Sequence, residues 1–139
     1  MSGILKNKFV VGVDFDGTCV THEYPKIGRD IGAVPVLKEL VNSGHKLILW
    51  TMRSHKLTEK GVDTLQDAID WFQKNEIPLW GINENPEQKS WTDSNKQYAN
   101  LYIDDAALGC PLIYNEIERP FVDWVRIKDI LITDGLINK

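Results

Sequence analysis

A chain of 139 residues, 42% hydrophobic and 26% charged, suits one domain with an ordinary core. Its net charge of −4 provides no global basic field to attract nucleic acid or a membrane surface. The two cysteines, Cys19 and Cys110, make no disulfide framework, and no apolar run approaches the ~20 residues of a membrane helix. With no leader pattern over the opening residues, the expectation is a single cytoplasmic domain over 1–139, off the membrane, with reduced thiols.

The first apolar, β-branched run, residues 9–13, predicts a buried strand that stops at Asp14. Residues 15–33 hold Gly17, Pro25, Gly28 and Gly32 and read as a loop or small hairpin. Pro35 opens a helical segment with Leu37, Leu40 and Val41 on one face, and Gly44 is its stop. KLILW over 46–50 is a second strand. An amphipathic helix follows over 64–76, with Leu65, Ile69 and Phe72 at helical spacing. Residues 78–82 predict a third strand, 83–98 a polar loop, and 100–103 a further strand ending at Asp104-Asp105. A last short strand is expected over 112–114 and a closing helix over 121–131, which carries Val122, Val125 and Ile130.

Strands alternating with helices imply βαβ units and a mainly parallel sheet covered on both faces, a three-layer α/β/α, Rossmann-like arrangement. Such sheets bind ligands beyond the carboxyl ends of their strands. Asp14, Thr51 and Asp104 each follow an apolar strand, so all three converge on one rim. Asp14 and Asp16 project to the same side of extended chain, and Gly17 lets the backbone turn after them. Carboxylates so close repel unless a cation lies between them, and Mg²⁺ is the natural choice, with Asp104-Asp105 as further ligands. Beside a cation and a phosphate, a carboxylate can attack phosphorus to form an aspartyl-phosphate, which water then cleaves. A second carboxylate can protonate the leaving oxygen and activate that water. The Thr51 hydroxyl, nearby backbone amides and a lysine would hold the phosphoryl oxygens.

DFDGT at 14–18, LILWT at 47–51 and LYIDD at 101–105 resemble, in order, the first, second and acidic fourth motifs of the haloacid dehalogenase-like phosphatases. The resemblance covers most of 9–105. It implies Asp14 as nucleophile, Asp16 as general acid/base, and Mg²⁺ held by the Asp14 side chain, the Asp16 carbonyl and the Asp104–Asp105 pair, with Asp104 favoured as the direct ligand. Lys96 is the better match to the family's lysine, ahead of Lys89. Gly17, Thr18, Met52 and Arg53 are the candidate substrate-binding residues, with Arg53 a bidentate clamp for a second anionic group. Neither interval between motifs leaves room for an inserted cap domain, which implies a capless member. Its substrate would be a small-molecule phosphate ester or the phosphorylated end of a nucleic acid, selected by loops at 19–33 and 83–98 or by a neighbouring subunit.

The competing readings fare worse. An EF-hand loop needs glycine at its sixth position and glutamate at its twelfth, where Pro25 stands. No P-loop, dinucleotide fingerprint or CxxC pair occurs. A receiver-like signalling domain shares the residue types but not their order, since its acidic pair precedes its lysine. A catalytically idle relative that only binds a partner remains as an alternative. His22, His45 and His55 lack metal-ligand spacing and read as solvent-exposed. Trp50, Trp71 and Trp124 read as core, whereas Trp80 and Trp91 lie nearer the substrate loops.

Overall fold

The computed structural model describes residues 8–139. Residues 1–7, part of the stretch without a leader pattern, lie outside the described residues. Strand β1 (Val10–Val13) is followed by helix α1 (Ala33–Asn42), strand β2 (Lys46–Leu49), helix α2 (Thr64–Lys74) and strands β3 (Gly81–Ile82) and β4 (Leu101–Ile103). These four strands form one parallel sheet in the order β3-β2-β1-β4. A separate antiparallel pair, β5 (Leu112–Ile113) and β6 (Phe121–Val122), precedes helix α3 (Trp124–Thr133).

Local chemistry sets the helix limits. The Asp63 carboxylate accepts the Gln66 amide at the head of α2, and Asp123 accepts the Arg126 amide at the head of α3. Gly44, at φ +91, turns the chain after α1 into β2. The Asp123 cap corrects the expected helix over 121–131: Phe121 and Val122 are strand, and the helix begins after them. Its phase shifts accordingly. Trp124, Ile127 and Leu131 face inward, whereas Val125 is 76% exposed and Ile130 44%. The strand expected over 78–82 shrinks to two residues, preceded by a bond from the Trp80 amide to the Leu47 carbonyl (2.7 Å).

Alternation along the strands separates the two faces of the sheet. Val11, Val13, Leu47, Leu49 and Ile103 point one way and share a single buried cluster with apolar side chains of α1, α2 and α3. Phe15 extends that face past the end of β1, meeting Trp71 edge-on at 5.5 Å and Phe72 at 6.1 Å between ring centroids. Gly12, Ile48 and Tyr102 occupy matching positions on the opposite face. That side is overlaid by the 83–98 segment, whose helical content is one 3₁₀ turn at Gln88–Ser90. The β3-to-β4 crossover thus passes to the other side of the sheet, as right-handed connections require when the strand order reverses. Among the described residues no helix is long and apolar enough to cross a membrane.

Candidate functional site

Three ladder bonds bring the strand ends to one level. The Asp14 amide donates to the Ile103 carbonyl (3.0 Å), the Trp50 amide to the Val13 carbonyl (2.8 Å), and the Asn83 amide to the Leu49 carbonyl (2.7 Å). Asp14, Thr51 and Asp104, which follow β1, β2 and β4, therefore share the carboxyl rim. Burial of Phe15 in the core turns its neighbours Asp14 and Asp16 to the other side.

Carboxylate oxygens of Asp14, Asp104 and Asp105 lie within 4.8 Å of one another. Thr18 ties two of these groups together. Its buried hydroxyl is 3.0 Å from Asp14 Oδ2 and 3.3 Å from Asp105 Oδ1, and it accepts the Asp105 amide at 3.0 Å. Burial, the hydrogen bond with Asp105 and the charge of Asp104 push the Asp14 carboxyl up from 3.8 to about 8. Without a cation, this site favours a protonated Asp14.

Asp16 takes a different partner. Arg53 Nε and one Nη donate to its two carboxylate oxygens at 2.8 Å each. The remaining guanidinium hydrogens go to the carbonyls of Pro25, Lys26 and Thr64. Phe15 and Tyr24 flank the guanidinium, with ring centroids 5.0 and 5.2 Å from its central carbon. Arg53 is 2% exposed. This corrects the expectation of a substrate clamp: all five N–H donors are already engaged within the protein. Thr18, expected to bind substrate, is fully buried and braces two aspartates instead. The Met52 side chain points into solvent, 99% exposed.

Thr51 is held by its amide on Asn83 Oδ1 (2.8 Å), and its hydroxyl oxygen accepts the Arg53 amide (3.1 Å), leaving its own proton to donate. Lys96 lines a cleft of about 320 Å³ with Trp50, Tyr102, Asp104 and Ala107. Lys89 borders a different depression, with Asn83 and Asn85. Of the two lysines, Lys96 is the one brought beside the acidic cluster. Gly17 is in the left-handed region at φ +79, and a Cβ there would sit 2.0 Å from His22 Nε2 and 2.6 Å from Asp105 Oδ2. Glycine is required at that point by conformation and by space.

Several neighbours went unread in the sequence. His22 Nε2 is 2.8 Å from Asp105 Oδ2, and both side chains are 14% exposed. His45 is buried, accepting the Phe9 amide on Nδ1 and donating from Nε2 to the Leu136 carbonyl. Both correct the expectation of solvated histidines; His55, on the surface beside Asp63, fits it. Trp50 lines the Lys96 cleft and so belongs to the rim, while Trp80 lies beneath Lys46 Nζ (4.3 Å) at the amino end of β2. Nothing periodic marks His22 or Asn83. Each acts through a partner 32 or more positions away.

The fold and rim define a mixed α/β protein with a parallel sheet and an acidic cluster beyond its strand ends. The chain is 32% identical to a conserved protein of Bacteroides thetaiotaomicron whose solved structure matches it with a TM-score of 0.72 over 93% of both chains, and it belongs to the same family as that protein. No protein-family model and no curated protein matches the sequence.

Proposed function

We propose that this protein is a divalent-cation-dependent phosphomonoesterase of the haloacid dehalogenase-like type, a reduced and capless form of that Rossmann-like three-layer fold. One observation carries the reading: Asp14, Asp104 and Asp105 converge at the rim that also holds Thr51 and Lys96. The donor set fits Mg²⁺, being composed of hard carboxylate oxygens whose mutual repulsion a cation relieves. Asp14, Asp104 and Asp105 would hold it. When bound it neutralises charge on the carboxylates and on the phosphoryl oxygens.

The rest of the chemistry belongs to the chain. Asp14, ionised, attacks phosphorus; the bond to the ester oxygen breaks, and the aspartyl-phosphate forms. Asp16 gives the departing alcohol its proton, then takes one from the water that cleaves the acyl-phosphate and releases inorganic phosphate. Thr51 donates its hydroxyl proton to a phosphoryl oxygen, and Lys96 offsets the charge that develops there. Asp16 must first free one oxygen from Arg53 and take up a proton there from solvent; the later proton from water restores that acid form for the next turnover. That same bidentate pair is the observation favouring the other reading, a catalytically idle relative that keeps the rim to bind a partner.

Turnover of an aryl phosphate with Mg²⁺ separates the two. The phosphatase reading expects multiple turnovers by the wild type and none by Asp14→Asn in a folded protein. Equal rates for the two proteins would defeat it, and no turnover of any phosphate ester would leave the idle reading standing.

A further inference from the structure

The loop after Val20 supplies no reacting group, yet it touches the acidic rim. Val20 bridges to Asp16 and to Asp30. The Thr21 amide donates to the Arg29 carbonyl (3.1 Å), and the Arg29 amide donates to the Thr21 hydroxyl oxygen (3.0 Å). Farther out, Arg53 holds the Pro25 and Lys26 carbonyls. The neck and the tip of this loop are both tied down, and His22 stands between them. Its imidazole therefore reaches the rim from a set direction.

His22 Nε2 lies 2.8 Å from Asp105 Oδ2, and both side chains are mostly shielded from solvent. A carboxylate oxygen only accepts, so Nε2 carries the proton and donates it. The bond has room because position 17 is glycine: a Cβ there would stand 2.0 Å from Nε2 and 2.6 Å from Asp105 Oδ2. The other side chains that meet Asp105, Thr18 and Asp14, hold it less exclusively. The Thr18 hydroxyl has one proton for Asp14 (3.0 Å) and Asp105 (3.3 Å), and Asp14 is the nearer. The bond between Asp14 and Asp105 needs a proton that a bound cation displaces. With a cation in place, His22 is the donor that Asp105 does not share.

We propose that His22 is a positioning residue for the cation site, its Nε2–H holding the Asp105 carboxylate in the orientation that gathers it with Asp14 and Asp104. A carboxylate already oriented needs no rearrangement when the ion arrives. A hydrogen-bond partner of this kind changes metal affinity by about 10–100-fold. The inference rests on the phosphatase reading only through its cation site, and it concerns Mg²⁺ binding whatever ester is hydrolysed.

The test is calorimetry of Mg²⁺ binding to the metal-free wild type, His22→Gln, His22→Asn and His22→Leu. His55→Leu, from the surface pair with Asp63, is the control. The Gln amide nitrogen reaches about as far as Nε2, the Asn amide stops short, and Leu has no donor. His22→Gln should bind Mg²⁺ within about threefold of wild type, and His22→Asn and His22→Leu at least about tenfold more weakly, with His55→Leu unchanged. The rise in unfolding midpoint caused by Mg²⁺ should follow the same order. Wild-type affinity in His22→Asn and His22→Leu overturns the inference; if their metal-free midpoints fall all the same, the pair serves only the fold. Equal weakening in His22→Gln overturns it too, because the bulk of the ring and not its hydrogen bond would then matter. If His22→Leu does not fold, His22→Gln against His22→Asn decides. Turnover of an aryl phosphate is followed in parallel. A wild type that binds Mg²⁺ but hydrolyses no ester defeats the phosphatase reading and leaves this inference to the binding data, whereas one that binds no Mg²⁺ overturns both.

Discussion

Replacing Asp14 by Asn should make the metal-free protein more stable at alkaline pH. The amide is uncharged, and its NH₂ can donate toward Asp105 as the protonated acid does. In the wild type the carboxyl is raised from 3.8 to about 8, so between those values the native state holds a proton that the unfolded chain has released. The native state then binds more protons, and stability falls as pH rises across that window. At about 1.4 kcal/mol per pH unit the interval sets a ceiling of roughly 6 kcal/mol. Relaxation and residual solvent around the site should reduce this to roughly 2–3 kcal/mol. The assay is urea unfolding of both proteins with a chelator present, from pH 5 to pH 9. The wild type should lose that amount relative to Asp14→Asn, and Mg²⁺ should restore it above pH 8 while doing little for the variant. Parallel pH curves would refute the reasoning, since they would mean that ionising Asp14 meets no opposition from Asp104, Asp105 and burial.

Arg53→Met should destabilise the protein by about 3–4 kcal/mol in urea unfolding, because Asp16 and three backbone carbonyls lose their donors together; a loss well under 1 kcal/mol would show the pair to be loosely held. Gly17→Ala forces a side chain into a left-handed conformation against His22 and Asp105. It should cost about 1–2 kcal/mol from the backbone alone and blunt the stabilisation by Mg²⁺ at pH 8, and a wild-type response to Mg²⁺ would argue against the crowding. Lys96→Met should lower kcat/KM for an aryl phosphate by about a hundredfold or more, with Lys89→Met close to wild type. The reverse ranking would move the charge-neutralising role to the other depression.

Where the sequence was legible, local physics was enough. The apolar runs ending at Val13, Leu49 and Ile103 are strands, and α2 follows from its periodic face and the Asp63 cap. The alternation Asp-Phe-Asp was readable because a buried ring between two carboxylates fixes which side each faces. What escaped depends on distant partners. Arg53 is locked by Asp16, Pro25, Lys26 and Thr64, from 11 to 37 positions away, and no spacing rule links them. The β6–α3 boundary was misread although its signal was present: Asp123 stands where an N-cap belongs, but the apolar run on either side masked it. The 83–98 segment looked like featureless polar loop, because amide-to-carbonyl bonds such as those from Gln88 Nε2 to Ser94 and Lys96 leave no pattern in composition.

The rim is also stitched across the whole length of the chain. The Val122 amide bonds the Gly17 carbonyl, and the Trp124 indole bonds the Thr18 carbonyl across 106 positions. During synthesis the two donors that brace the Asp-Phe-Asp-Gly-Thr turn emerge more than a hundred residues after it. A nascent chain can therefore pair β1 with β2 and still lack the supports that set Thr18 between its aspartates. The rim would take its final shape late in biogenesis, once the strand–helix corner at 121–124 has bonded the Gly17 and Thr18 carbonyls.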